Sequence, residues 1–375
     1  MAHCRSGSLG FNRAQCESCK KSQWYASSCG DRHCPNCLGP RQAQWAHKVC
    51  QRLPDCPHFH VVFTIPRELH AFFEHNYRVA ASLLFGAAAE TIKSFQKRHW
   101  KMDGGFFAVL HTWGSALNWH PHLHVLCGSG GVDRETGRWR EARKDYFFPV
   151  KAMSKVFGAI MLRDLEALDG DTSIRWPEEI RSVEQRRDWR LRLCHKSWNI
   201  FTRPSLNNTR AVVRYLARYT TRIAMSNQRI KHVDEVERTV SFEWKNYRQG
   251  GRKSLSTLSG KKFIRRFTRH LVPCGLRRVR YYGLLAGKSR RFRDFEDSPR
   301  QTISERDTGT CSPECPHCGC RNWSYHVFFQ HLPDGPATPV NTGGRSKSLV
   351  SATGAGPPGF NKRMKPTSLP EALLT

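Results

Sequence analysis

The sequence predicts an α+β protein, with a small metal-dependent head in front of it and a tail behind that has little to bury. Three observations carry this expectation. Eight of the 15 cysteines fall before residue 60, six of them within residues 1–47, a polar stretch with almost no apolar core. Between residues 51 and 300, apolar runs of strand length are interleaved with segments whose apolar residues recur at three and four. Past residue 333 the chain is rich in Pro, Gly, Ser and Thr, a composition that does not offset the entropy of ordering it. The expected divisions are therefore 1–50, 51–300 and 301–375, the last a cysteine-containing segment with a disordered tail.

The elements follow in order. Residues 58–65 read as a strand stopped by Pro66. Residues 67–101 read as helical, from the spacing of Leu69, Phe72, Phe73, Tyr77, Ala80, Leu84 and Ala88. Gly104 and Gly105 turn the chain into a strand over 106–112. Asn118 and Trp119 lead into another strand, His120-Pro-His122-Leu-His124-Val-Leu, ended by the glycines of 128–131. Residues 151–200 predict two helices interrupted near Gly170 and Trp176-Pro177. A helix over 209–226 is followed by a hairpin with strands near 229–233 and 238–244. An amphipathic helix over 261–271 carries Phe263, Phe267 and Leu271 on one face, and 277–282 is a last strand. No internal repeat is visible.

The charge narrows the partner. The chain carries 61 Lys+Arg against 31 Asp+Glu, a net charge of +30, and such an excess calls for a polyanion, nucleic acid first. The longest apolar patch, 79–89, is too short to span a bilayer, and no signal core leads the chain, so no membrane partner is expected. No acidic residue occurs from 244 to 293. Within that stretch, 261–293 holds twelve Lys/Arg interleaved with aromatics, a pattern suited to a DNA backbone, with Lys261, Lys262, Arg265 and Arg266 as contacts.

An odd number of cysteines, with pairs two residues apart, fits zinc in a reducing compartment, and the cytoplasm is the expected location. Cys16-x-x-Cys19 and Cys34-x-x-Cys37 stand 14 residues apart and are expected to share one tetrahedral Zn²⁺. Cys29 and His33 are alternate ligands, and His3 and Cys4 lie close by. Arg13, Lys20, Lys21, Arg32 and Arg41 are interleaved with Trp24, Tyr25 and Trp45, a mixture suited to phosphate contact and base stacking. Trp24 and Tyr25 equally suit packing over the zinc. Cys311, Cys315, Cys318 and Cys320, with His317, are candidates for a second zinc, although only Cys315-Pro-His-Cys318 has conventional spacing.

The catalytic candidates are imidazoles and phenols. His120, His122 and His124 occupy alternate strand positions and project to one side. Clustered neutral imidazoles make a metal site. His122 and His124 are the best pair, and His120 is a third ligand or a substrate contact. His60 and His111, on neighbouring strands, are other third ligands that the sequence does not rank. A divalent ion there can hold a phosphate oxygen and neutralise charge developing in a displacement. Mg²⁺ or Mn²⁺ suits a phosphodiester substrate, and imidazoles also accept Zn²⁺. On the helix over 209–226, Val212, Leu216, Tyr219 and Ile223 form one stripe with Tyr215 at its edge. Tyr215 and Tyr219 stand one above the other, flanked by Arg214, Arg218 and Arg222. A tyrosyl oxygen can attack phosphorus, and the arginines can clamp the phosphate and favour the phenolate.

Taken together, the chain resembles the rolling-circle transposases of the HUH endonuclease superfamily, in the two-tyrosine group typified by insertion sequence 91. The resemblance covers roughly residues 3–295 and is carried by named motifs. These are Cys16-Glu-Ser-Cys19, Ser28-Cys29-Gly-Asp-Arg-His33-Cys34-Pro-Asn-Cys37, Phe63-Thr-Ile-Pro-Arg-Glu-Leu69, the stretch from His111 to His124, Tyr215-Leu-Ala-Arg-Tyr219 onward to Asn227, Phe263-Ile-Arg-Arg-Phe267 and Arg278-Val-Arg-Tyr-Tyr-Gly283. It implies an antiparallel sheet flanked by helices, with the histidines on a central strand and the tyrosines on a nearby helix. It implies a single-strand DNA endonuclease and strand transferase of a bacterial mobile element, nucleoid-associated, with a zinc head that recognises DNA. His122 and His124 would hold the divalent ion. Tyr215 and Tyr219 would attack successive phosphodiesters, each giving a 5′-phosphotyrosine and a free 3′-OH without ATP. Two departures stand out. Family members usually carry a further segment before the cysteine head, which here opens at His3-Cys4, and the tail past 333 has no counterpart, so a truncated or frameshifted chain is expected. Two other readings compete. One is a catalytically inactive, zinc-dependent DNA-binding remnant. The other is a histidine-triad nucleotide hydrolase, since His-x-His-x-His before two apolar residues resembles that motif.

Overall fold

The computed structural model describes residues 3–31, 34, 37, 45–46, 48–142, 147–206, 224–225, 227–246, 249–286, 314–320 and 322–328. The chain forms two compact units, one from residues 1–41 with 308–375 and one from 42–307.

The first unit is built on a three-stranded antiparallel sheet. Strand β1 (Phe11–Cys16) pairs with β2 (Ser22–Ala26) on one side and β12 (Trp323–Phe328) on the other. β1 and β2 are not apparent in the sequence, because their side chains do not alternate cleanly between apolar and polar; β12 does alternate, Trp323, Tyr325 and Val327 against Ser324 and His326, but nothing local marks its partner. β2 is exposed along its middle, and Trp24 and Tyr25 lie open to solvent rather than packed over thiols. The Arg13 guanidinium sits 6.0 Å over the Trp24 ring.

The second unit holds the main sheet, all antiparallel, in the order β11-β4-β5-β3-β7 with β6 paired to β5. Its strands are β3 (His58–Thr64), β4 (Met102–Trp113), β5 (Trp119–Asp133), β6 (Trp139–Glu141), β7 (Ile200–Leu206) and β11 (Val279–Gly283). Alternation divides the sheet into two faces. Phe59, Val61 and Phe63 of β3, Phe106, Ala108 and Leu110 of β4, and Leu123, Val125 and Cys127 of β5 form the main core. They are covered by α1 (His70–His75), α2 (Tyr77–Phe95) and α3 (Val150–Glu166), and α4 (Val183–Cys194) adds Trp189 and Leu193. Phe63 and Phe157 meet edge to face at 5.0 Å, and both are fully buried. Each such ring contributes roughly 2–3 kcal/mol by its removal from water. On the opposite face Phe107, Val109 and Leu126 pack with Val49, Cys50, Leu53 and Leu285. The histidines of β3, β4 and β5 share that second face.

A smaller antiparallel sheet, β8 (Ile230–Asp234), β9 (Thr239–Asn246) and β10 (Arg252–Ser259), leads into α5 (Gly260–Thr268). Phe263 and Phe267 of α5 pack with Phe242, Leu117 and Trp113. Ser259 caps the helix, its hydroxyl accepting from the Lys262 N–H.

Several boundaries differ from expectation, for physical reasons. The helix expected over 67–101 breaks at Asn76, whose φ of −127° is not helical. The Asn76 side chain donates to the Phe72 and Arg175 carbonyls and accepts from the Arg175 N–H, which ties the break to a distant loop. β5 does not stop at the glycines but runs on to Asp133. There a Cβ on Gly130 would lie 2.3 Å from the Trp139 ring, and one on Gly131 2.7 Å from the Asp103 carbonyl oxygen, so these glycines admit close neighbours within a continuing strand. The hairpin over 229–244 gains a third strand, β10, whose Ser/Thr/Lys pattern is that of an exposed ribbon. The helix expected over 209–226 and the tail from 333 lie outside the described residues. Among the described residues no helix is long and apolar enough to cross a membrane.

Candidate functional site

β5 is central, with β4 on one side and β3 on the other. In register, His122 stands opposite His111 of β4 and Thr64 of β3, and His124 opposite Val109 and Val62. His111, His122 and His124 are buried, and their ligand nitrogens all lie within 4.8 Å of one another. His122 Nδ1 lies 2.6 Å from the His120 carbonyl oxygen. A carbonyl only accepts, so this nitrogen carries the proton and His122 Nε2 presents its lone pair. His124 Nε2 is 3.1 Å away from that atom, and His124 Nδ1 lies 2.8 Å from His60 Nε2. The contact lets one proton shift along the pair. With His124 Nδ1 donating to His60, both His122 and His124 turn a bare Nε2 to the same point. Trp113 stacks on His111 at 4.5 Å and fixes its plane.

Burial sets the charge state of these rings. Desolvation pushes His122 down to about 3 and His60 to about 4, and holds His124 well below its usual value, with the neighbouring imidazoles adding to the effect on His124. Near pH 7 these rings are neutral, the form that binds metal.

His120 does not join this cluster. The β4–β5 ladder is irregular between His111 and Trp113, and His120 lies beyond the last regular pair, His111 with His122. Its ring stands 5.0 Å from His122 and turns toward a cleft at the end of the sheet. What His120 gives the cluster is its backbone carbonyl. His60 is the outer partner of His124, and the third imidazole beside His122 and His124 is His111.

The thiols form two clusters, and each draws on cysteines other than the sets the spacing suggested. Cys16 and Cys19 do not meet Cys34 and Cys37. Cys4, Cys29, Cys34 and Cys37 converge in one group, and Cys16, Cys19, Cys315 and Cys318 in another. Sulfur separations of 3.4 and 3.6 Å in the first and 3.6 Å in the second approach the ~3.8 Å of thiolates around one tetrahedral ion with ~2.3 Å bonds. The second group is formed by two matching turns. Cys16-x-x-Cys19 and Cys315-x-x-Cys318 are each followed by a left-handed residue, Lys20 at φ 58° and Gly319 at φ 71°. The backbone N–H of Cys19 lowers the Cys16 thiol pKa, which favours the thiolate. Cys320, expected among the second set, stands outside and accepts from the Ser18 hydroxyl at 2.9 Å.

Tyr215, Tyr219, Arg214, Arg218, Arg222, His33 and Cys311 lie outside the described residues. On α5, Lys261, Lys262 and Arg265 are exposed, while Arg266 is half-buried and donates to the Ala116 carbonyl at 3.4 Å.

Comparison with known proteins gives two family matches. Residues 1–65 match the family described as "Transposase zinc-binding domain". Residues 105–292, half of the chain, match the family described as "Putative transposase". The chain belongs to this transposase family. The second match contains His111, His122 and His124 as well as both tyrosines, and the first contains six of the eight clustered cysteines. This transposase is 35% identical over 338 residues, 84% of each chain, to a protein of Sinorhizobium fredii (strain NBRC 101917 / NGR234) described as "Putative transposase y4qJ". It is 31% identical over 293 residues, 77% of its own length and 69% of the relative's, to the "Transposase for insertion sequence element IS801" of Pseudomonas savastanoi pv. phaseolicola. The nucleotide-hydrolase alternative falls with this assignment.

Proposed function

We propose that this transposase nicks single-stranded DNA and transfers the strand through a covalent phosphotyrosine. The observation that carries the reading is the convergence of His111, His122 and His124 on one point, with His122 fixed in its tautomer by the His120 carbonyl. A divalent cation bound by these three nitrogens would draw charge from a non-bridging oxygen of the scissile phosphate. Of the two ions expected, an all-imidazole donor set suits Mn²⁺ better than Mg²⁺, which prefers oxygen.

The phenol oxygen of Tyr215 or Tyr219 attacks phosphorus and gives up its proton. The bond from phosphorus to the 3′ oxygen breaks, and that oxygen takes a proton to become a 3′-OH. The 5′ side stays on the tyrosine. Because one phosphoester replaces another, the bond energy is retained and no ATP is needed. A second tyrosine allows a second cleavage before the first link is resolved. Arg214, Arg218 and Arg222 would clamp the phosphate, and Lys261, Lys262, Arg265 and Arg266 would follow the strand. In the head, Cys4, Cys29, Cys34 and Cys37 would hold one Zn²⁺ and Cys16, Cys19, Cys315 and Cys318 another.

Covalent trapping tests the reading. The full chain is incubated with labelled single-stranded oligonucleotides from the ends of its element and Mn²⁺. A labelled band stable to denaturant is expected, mapping to the peptide with Tyr215 or Tyr219. Tyr215→Phe with Tyr219→Phe should abolish it and leave DNA binding intact. An adduct that survives the double substitution would refute the assignment.

A further inference from the structure

We propose that a cleft beside the histidine cluster holds one unstacked nucleobase of the DNA strand and selects guanine. The proposal rests on the reading of this chain as a single-strand DNA enzyme and adds to it the residues that read sequence. The cleft has a volume of about 740 Å³, in the range of small-ligand sites. It adjoins the cluster directly. Thr64 lines it and is the register partner of His122, and His120 lines it with its ring 5.0 Å from that of His122.

Two polar atoms of its lining are buried without a hydrogen-bond partner among the described residues, His70 Nε2 and Trp119 Nε1. Neither atom reaches the cleft surface, so contacts to a ligand come from the rest of the lining. The remaining lining says what kind of ligand. Ile65, Pro66 and Ala71 supply apolar surface, and Asn118 and Asn199 supply carboxamides. Arg67 and the ion pair of Arg269 with Glu74 complete it. A bare phosphate would waste the apolar surface and meet the Glu74 carboxylate. A nucleobase has apolar faces and a polar edge, which match both. Among the four bases, guanine alone offers two adjacent N–H donors to a carboxylate together with two acceptors, O6 and N7, for an arginine fork. In a duplex the faces of a base are stacked and its pairing edge is occupied, so the base must come from an unpaired strand.

The test is equilibrium binding of the full chain to four 15-nucleotide single strands of dT, each with one central dA, dC, dG or dT, without added divalent cation. The dG strand is expected to bind about tenfold more tightly than the other three, the discrimination typical of one bidentate contact. Arg67→Lys and Glu74→Gln should each bring that preference below about twofold while the melting temperature stays unchanged. Arg67→Lys keeps the charge and loses the fork. A strand carrying central 6-thioguanine should cross-link under near-ultraviolet light to peptides containing residues 64–74 or 117–120. Equal affinity for all four strands, or a cross-link found only elsewhere, would overturn the proposal. No cleavage is required in these measurements. A missing phosphotyrosine with an intact dG preference would sink the nuclease reading alone, and a trapped adduct without base preference would sink the cleft alone.

Discussion

His122 Nε2 and His124 Nε2 lie 3.1 Å apart, while the Nδ1 atoms of the same rings are engaged by the His120 carbonyl and by His60. Both rings are therefore oriented from behind, and the nitrogens left over face each other and His111.

This arrangement separates the roles of neighbouring histidines. His111→Ala removes a ring from the cluster and is expected to weaken Mn²⁺ binding at least tenfold. His60→Ala removes the outer partner of His124 and should cost about 10–100-fold. His120→Ala keeps the carbonyl that holds His122 and should change Mn²⁺ affinity less than about threefold. Titration calorimetry with Mn²⁺ checks all three, and a His120→Ala loss equal to that of His111→Ala would contradict the geometry.

Buried neutral imidazoles make stability depend on pH. Burial holds His58 and His270 at about 4, from an ordinary value near 6.5. Below pH 6.5 the unfolded chain takes up protons that the folded chain refuses, so stability is complete above that value and falls as pH drops toward 4. Between pH 7 and 5, His58 alone accounts for roughly 2 kcal/mol. Urea midpoints at the two pH values should show the loss, and His58→Phe should reduce it.

The head is expected to carry two zinc ions per chain. Elemental analysis should give two for the native protein and one for either Cys34→Ser or Cys318→Ser. A single zinc lost by both substitutions alike would mean one shared site. Chelation should unfold the head, since its sheet encloses little apolar surface.

Exposed lysines and arginines on α5 should act on binding without acting on the fold. Replacing Lys261, Lys262 and Arg265 together by glutamine is expected to lower the slope of log affinity against log salt for a single strand by about 2, near 0.7 per charge. The melting temperature should hold, because none of the three side chains is buried.

Much of the fold was legible because its signals are local. Period-two alternation located β3, β4 and β5, and the run of Phe72, Phe73, Leu84 and Ala88 located the helices that cover them. The pairing of His111 with His122 depends on register, which an irregular turn through Gly114 and Asn118 shifts by one residue. Strand spacing alone therefore left His60, His111 and His120 unranked. The split of the thiols was hidden for another reason. Cys16 and Cys315 are 299 positions apart, and no local pattern links them, although their shared Cys-x-x-Cys turn with a following Lys20 or Gly319 is a signal once the two are compared. β1 and β2 escaped notice because their few apolar residues leave no hydrophobic rhythm.

The two thiol groups of the head also differ in when they can be completed. Cys4, Cys29, Cys34 and Cys37 all leave the ribosome within the first few dozen residues, so that loop can close on metal while the rest is still being made. Cys16 and Cys19 must wait for Cys315 and Cys318. At 5–20 residues per second that is about 15–60 s, during which β1 lacks its β12 neighbour. A nascent or prematurely terminated chain thus carries a half-finished head, and the finished one exists only on molecules whose second unit has already been synthesised.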